Sequence, residues 1–289
     1  MSKCYLCPRK CGADRPSSRG VCGADTLRVA LAAPHYCEEP CLSGTNGAGT
    51  VFFSGCPLSC VFCQNHELSS ENKGKEISVV RLAEIFSELQ NKGCHNIDLV
   101  SPTPYTDEII AALDIAKPEI PVVWNTSGYE RVETLKKLDG RVSVYLPDFK
   151  YVTPDLAFKY SGTANYPETA ACALGEMLQQ QPKRVYENGL MMKGVIVRHL
   201  VLPSHRAESI AVLDFLHKNF DISKFTLSLL AQYTPMYKAA EYKEINRTLT
   251  KFEYNSGAAH AEELGFDCYY QDTASANEKY TPTFDFSGV

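Results

Sequence analysis

Several things this chain lacks narrow its identity. No stretch approaches the roughly 18 consecutive apolar residues that a membrane-spanning helix needs, so no span is expected. The opening Met-Ser-Lys-Cys-Tyr-Leu-Cys has no apolar core of the kind a secretory signal carries. An excess of positive charge is missing too: 29 Lys and Arg against 34 Asp and Glu give a net charge of −5. That balance argues against a broad nucleic-acid surface. There is no internal repeat, no low-complexity tract and no obvious flexible linker, and 289 residues are enough for one substantial core. Cysteine, by contrast, is plentiful, with twelve copies. Without a secretory signal the expected setting is the reducing cytoplasm, where clustered thiols mean metal rather than disulfides.

The cysteines are unevenly spread. Six of the twelve fall in the first 50 residues, a segment rich in Gly, Pro and Ser with little apolar periodicity. Residues 1–49 therefore read as a Cys-rich, metal-binding N-terminal segment, and residues 50–289 as the main domain with a C-terminal extension. From Thr50 the chain alternates short β-rich runs with helical patterns, the signature of βα units around a parallel sheet. The candidate strands are Thr50–Ser54, Asn96–Ser101, Ile120–Asn125, Val142–Asp148, Gly194–Leu202 and Phe225–Leu230, with Phe266–Gln271 as a seventh. Ser78 is placed to cap a helix over Val79–Lys92, and Thr106 one over Asp107–Ala116; Glu208–Phe220 and Thr250–Leu264 complete the helical patterns. The fold class expected is α/β, a partial (β/α)6 TIM-like barrel with a Cys-rich extension, and chemistry in such barrels gathers at the carboxyl ends of the strands. Glu67–Glu76, Pro154–Pro167 and the C-terminal tail read as soft connections.

The most constraining motif follows the first barrel strand. Cys56, Cys60 and Cys63 form C-x3-C-x2-C. Three thiolates so close can hold three irons of a [4Fe–4S] cube and leave the fourth without a protein ligand, open to chemistry. Zinc takes four tetrahedral ligands, often as two C-x2-C-type pairs, and suits this run poorly. Nearer the start, Cys4, Cys7, Cys11 and Cys22 form C-x2-C-x3-C-x10-C. Four thiolates on a loop-rich segment suit a structural metal, zinc most simply, with an auxiliary [4Fe–4S] cluster as the rival. Cys37 and Cys41 are open to either a metal or a packing role.

The C-x3-C-x2-C spacing, with Phe62 in the aromatic slot before the third cysteine, resembles the radical S-adenosylmethionine (radical SAM) superfamily. Further pieces sharpen the likeness: E-E-P-C-L-S-G, N-T-S-G-Y-E, Y-L-P-D-F-K-Y, V-I-V-R-H-L-V-L-P and Q-Y-T-P-M, in order along the chain, resemble the pyruvate formate-lyase activating enzyme-like subgroup. The resemblance implies a [4Fe–4S] cluster and S-adenosylmethionine, reductive cleavage of the latter to a 5′-deoxyadenosyl radical, and hydrogen abstraction from a substrate. It implies ligand roles for Cys56, Cys60 and Cys63, and cofactor contacts for Phe62, Asn65, Asn125, Ser127, Asp148, Lys150 and Arg198. Gln64 stands where activating enzymes carry His, and Pro104 where the subgroup carries a titratable residue, which puts those contacts in question.

Plainer roles compete for some of these residues. Ser127 would cap an ordinary turn, Lys150 would be a surface charge, and His199 a satisfied core histidine. The substrate implied is either a glycyl-radical protein loop, as for an activase, or a small molecule such as a modified nucleobase, as for a lyase or mutase. An electron donor of flavodoxin or ferredoxin type is implied with it. The non-enzymatic alternative is an iron–sulfur redox sensor, whose cluster would carry a fourth protein ligand.

Overall fold

The computed structural model describes residues 3–15, 17–272, 275 and 282–289. The first strand, β1 (Arg28–His35), lies inside the Cys-rich segment and passes through a short helical turn, α1 (Pro40–Ser43), into β2 (Ala48–Phe53). The cysteine loop, α2 (His66–Ser69) and the two-residue β3 (Lys75–Glu76) follow. Helices and strands then alternate: α3 (Val79–Asn91), β4 (Ile97–Val100), α4 (Thr106–Ala116), β5 (Val122–Thr126), α5 (Val132–Leu135) and β6 (Val144–Pro147). Two helices, α6 (Pro154–Ser161) and α7 (Tyr166–Gln180), and the small β7 (Val185–Glu187) lead to the long β8 (Leu190–Leu200). The chain closes with α8 (Arg206–Asn219), β9 (Phe225–Leu230), α9 (Lys251–Glu263) and β10 (Cys268–Tyr270).

The strands form one sheet in the order β10-β9-β8-β6-β5-β4-β2-β1-β3, with β7 paired to β8 off this path. Along the path from β2 to β10 every pairing is parallel, whereas β1 runs antiparallel to both β2 and β3, and β7 antiparallel to β8. The sheet keeps two edges, so it is a partial, open barrel of the expected class. All six candidate strands and the seventh are present, displaced by a few residues at their ends. The strands missed are β1, which extends the sheet on the far side of β2, and the short β3 and β7.

Alternation along the strands decides what fills the barrel. Val123 and Asn125, Val144 and Leu146, and Ile196 and Arg198 share the inward face with Asp98 of β4 and Ser228 of β9. The lower layer is apolar: Val123, Val144 and Ile196 pack with Cys41 and Leu42 of α1. Thus α1 plugs the amino-terminal end of the barrel, and a polar layer lies above it. The opposite faces pack under the helices, as Leu82, Ile85, Phe86 and Leu89 of α3 show by their complete burial.

Of three local expectations, one holds and two do not. Ser78 caps α3 by accepting from the Arg81 amide, and Thr250 forms a full capping box with Glu253. Thr106 does not cap. A 3-10 turn over Thr103–Tyr105 has already begun the helix, and the Thr106 hydroxyl instead donates to the Thr103 carbonyl at 2.9 Å. The span 154–167 is helical, not a soft connection. Proline starts both α6 and α7, where its missing N–H costs nothing, and Gly162 at φ 72° ends α6. Of the C-terminal tail, residues 273, 274 and 276–281 lie outside the described residues.

Candidate active site

The cysteine loop leaves β2 through Gly55, whose φ of +88° and a would-be Cβ only 2.8 Å from the Cys22 carbonyl leave no room for a side chain. Its backbone is pinned on three sides. The Cys56 amide donates to the Cys22 carbonyl at 3.1 Å, the Val61 amide to Tyr160 at 2.9 Å, and the Lys238 amide to the Val61 carbonyl at 2.9 Å. Arg9 adds a clamp, donating through Nε to the Pro57 carbonyl at 2.8 Å and through Nη1 to Gly162 at 3.0 Å. At the sulfurs, the Ser161 hydroxyl lies 3.1 Å from Cys60 Sγ and the Ser69 hydroxyl donates to Cys63 Sγ at 3.3 Å.

The thiols are ill suited to ionise alone. Burial pushes Cys63 up to about 11 and raises Cys56, and for both the next cause is Cys60. Burial raises Cys60 as well, opposed chiefly by Lys150. Among the described residues no three His, Cys, Asp or Glu side chains stand in finished metal-coordinating geometry. The donor set nevertheless fits a [4Fe–4S] cluster. Three soft thiols share one short loop, their thiolates need cations to be stable, and Cys60 and Cys63 face a cavity of about 450 Å3.

Across that cavity runs a polar relay. Lys150 Nζ donates to Asp148 Oδ2 at 2.6 Å, and Arg198 Nε donates to Asp148 Oδ1 at 3.0 Å. Arg198 also donates to Asn125 Oδ1 at 2.6 Å and to Glu38 Oε2 at 3.4 Å. The Asn125 amide donates in turn to Asp98 Oδ2 at 3.4 Å. Burial raises the Asp148 carboxyl, but Lys150 and Arg198 outweigh it and hold it below its ordinary range. Burial likewise lowers Lys150, and Asp148 and Cys60 outweigh that and raise it. Gly128 makes the approach possible: at φ +77°, a Cβ there would stand 2.2 Å from the Asp148 carbonyl.

The structure brings most of the expected contacts together. Phe62, Asn65, Asn125, Asp148, Lys150 and Arg198 all line the cavity, Phe62 edge-on to Tyr233 at 5.7 Å. Ser127 is the exception. It lies outside the lining, and its carbonyl accepts from the Tyr166 hydroxyl at 2.9 Å. His199 is a satisfied core residue, with Nδ1 2.8 Å from the Phe149 carbonyl and Nε2 2.9 Å from the Ser209 hydroxyl. Gln64 lines the cavity and donates to the Gln232 carbonyl at 3.4 Å; Pro104 offers only its carbonyl, to Arg15. The reading of single residues missed Glu38, Glu39, Asp98 and Ser228. The legible signals were a lone acid in the apolar run Ile-Asp-Leu-Val and a Glu-Glu pair ahead of α1.

The four N-terminal thiols also share one place. Burial pushes Cys7 up to about 11, with Cys22 and Cys4 adding to it, and burial raises Cys22, with Cys4 and Cys11 adding. A Cβ at Gly20 would meet Cys22 Sγ at 3.3 Å and Cys11 Sγ at 3.4 Å, so glycine leaves those sulfurs a common open side. Arg15 Nη2 donates to Cys22 Sγ at 3.4 Å. The knuckle and the cluster loop are therefore joined through the Cys22 carbonyl.

Comparison with known proteins agrees with this geometry. The family description Radical SAM superfamily matches residues 50–174. An uncharacterized protein of Methanocaldococcus jannaschii, MJ0674, is 32% identical over 282 residues, covering 93% of this chain and 77% of that one. Among solved structures, Streptococcus suis SuiB bound to S-adenosylmethionine superposes with a TM-score of 0.54 at 14% identity, over 75% of this chain and 48% of SuiB. A radical SAM methyltransferase from Sphaerobacter thermophilus gives 0.54 at 12% identity, over 78% of this chain and 66% of the other. The chain thus spans about half the length of SuiB, and at these identities the likeness is one of fold. No helix among the described residues is long and apolar enough to cross a membrane.

Proposed function

The chain carries a Radical SAM superfamily domain over residues 50–174, and we propose that it is an enzyme of that superfamily that abstracts hydrogen from a compact polar substrate held inside its barrel. Membership implies a [4Fe–4S] cluster and S-adenosylmethionine. With both bound, they would supply reductive cleavage of the sulfonium C–S bond and radical hydrogen abstraction from the substrate. Cys56, Cys60 and Cys63 would hold the cluster. A flavodoxin- or ferredoxin-like protein would supply the electron.

The chain's own residues bind and orient. Lys150 is the cation facing Cys60, placed to receive the methionyl carboxylate, and Asp148 fixes its ammonium. Arg198 is tied to Asp148, Asn125 and Glu38, so it organises the wall rather than offering a free donor set. Phe62 and Tyr233 form an apolar side that shields the reacting carbon from water.

The observation that carries the small-substrate reading is the lining of the cavity. One cavity of about 450 Å3 joins Cys60 and Cys63, the Lys150–Asp148–Arg198 relay, and Glu38 and Glu39 in its lining. A pocket with a few convergent polar groups suits a small ligand. The activase reading, with a glycyl-radical protein loop as substrate, is kept as second because the quoted motifs resemble that subgroup. We also propose that Cys4, Cys7, Cys11 and Cys22 hold a structural metal, zinc most simply.

Anaerobic reconstitution followed by S-adenosylmethionine and dithionite tests the proposal. 5′-Deoxyadenosine should form in wild type and vanish in Cys60→Ala. No product from a protein with an intact, reduced cluster would refute it.

A further inference from the structure

Taking the cavity as the substrate chamber proposed above, its far end has the wrong balance of charge to be empty in use. Four carboxyls, those of Glu38, Glu39, Asp98 and Asp148, act on the single guanidinium of Arg198; burial raises three of them, Glu38, Glu39 and Asp98, against its pull, so an arriving cation would favour their ionised forms. The other cation of the lining among the described residues, Lys150, is committed to Asp148 at 2.6 Å. Glu38 shares Arg198 only at 3.4 Å. Glu39 is only 7% exposed, it lines the cavity, and its Oε2 has no hydrogen-bond partner among the described residues. Behind it Asp98 is fully buried, with Oδ1 likewise unpartnered. Buried acceptors without donors are costly, and the cost disappears when a ligand brings the donors.

This end lies beyond Arg198 from Lys150. Along the relay Lys150 pairs with Asp148, Asp148 with Arg198, and Arg198 with Glu38, so Glu38 and Lys150 stand at its opposite ends. A group lying on Glu39 is therefore not the methionyl group that Lys150 faces. The ligand that fits must bring N–H donors and positive charge together. An anion would add to the charge excess. A neutral ether or carbonyl would leave the acceptors unpaired.

The geometry points to Glu38 and Glu39 as the recognition end of the substrate chamber, accepting a cationic nitrogen group of the substrate: an ammonium, amidinium or guanidinium. Glu39 makes the central contact through its free oxygen, and Glu38 shares the cation with Arg198 on the other side. These are specificity-determining residues and take no part in cleaving S-adenosylmethionine.

Titration calorimetry on the full-length, anaerobically reconstituted protein tests this with four probes of matched length: n-butylammonium, n-butylguanidinium, n-butanol and n-butyrate. The two cations should bind and the neutral and anionic probes should not. Saturating S-adenosylmethionine should leave the cations bound. Glu39→Gln should weaken them by about ten- to one-hundred-fold, the loss of one charged hydrogen-bond partner. Glu39→Asp, which keeps the charge on a shorter arm, should fall between, and it serves if the glutamine variant fails to fold. Equal binding of all four probes, displacement of the cations by S-adenosylmethionine, displacement by equimolar magnesium, or full affinity in Glu39→Gln would each overturn the inference. The readout is independent of turnover. Cation binding without any 5′-deoxyadenosine would refute the proposed function and leave this site standing, and product without cation binding would do the reverse.

Discussion

Replacing Asp148 by asparagine strikes the point where two cations share one carboxylate. Lys150 and Arg198 donate to its two oxygens at 2.6 and 3.0 Å, and the three side chains are 15–19% exposed. Breaking a buried pair from one side costs roughly 3–5 kcal/mol, most of it from the charge left behind. Arg198 keeps Asn125 and Glu38, and that residual pairing, with the partial exposure, puts the expected loss at the low end, about 3 kcal/mol. For a chain of this size each kcal/mol moves the melting temperature by about 2 °C, so Asp148→Asn should melt about 5 °C below wild type. The pH dependence follows from the direction of the shift. The folded Asp148 carboxyl lies below its ordinary range. Its stabilisation is therefore complete above the unfolded value of about 3.9 and is lost as pH falls through the depressed folded value. Anaerobic differential scanning calorimetry should show a constant gap between variant and wild type from about pH 5 to 8, closing on further acidification. Lys150, released from its fixed position, should also bind S-adenosylmethionine more weakly. A variant that melts with wild type, or a gap that persists unchanged at the acid end, would refute the reasoning.

Other perturbations have equally definite outcomes. Glu253→Ala removes the acceptor of Arg247, of the Ser204 amide and of the α9 cap, and should cost about 2–3 kcal/mol in urea unfolding at neutral pH. Because the Glu253 carboxyl is held low by Arg247, that difference too should shrink in acid, and a difference that grew would contradict it. Gly128→Ala forces a side chain into the Asp148 carbonyl at positive φ and should cost more than about 2 kcal/mol, lowering melting temperature and product formation together. Stripping the N-terminal metal with a chelator should slacken the Cys22–Cys56 link and hasten iron loss from the cluster loop, read by elemental analysis of zinc and iron. Unchanged iron retention after complete zinc removal would show the two sites to be uncoupled.

The parallel strands were legible because buried central strands are written as short β-branched and aromatic runs, as in Val-Val-Trp-Asn-Thr of β5. The cluster loop was legible because its chemistry sits within eight consecutive residues. β1 was not. Its Arg-Val-Ala-Leu-Ala-Ala-Pro-His is rich in alanine, a weak strand former, and it is held by pairing with β2 rather than by its own propensity. α6 and α7 were hidden by Pro154 and Pro167, which read as breaks but stand in first turns. The acidic end of the cavity was the hardest to see. Glu38 and Arg198 are 160 residues apart, and only the curl of the sheet over the α1 plug brings them together.

The most direct test of the central claim is electron paramagnetic resonance of the reduced, reconstituted protein before and after S-adenosylmethionine is added. If Cys56, Cys60 and Cys63 leave one iron of a [4Fe–4S] cluster open, the cofactor must bind that iron and shift the spectrum. A spectrum that does not move, or one that shows a fourth protein ligand already in place, would contradict the account.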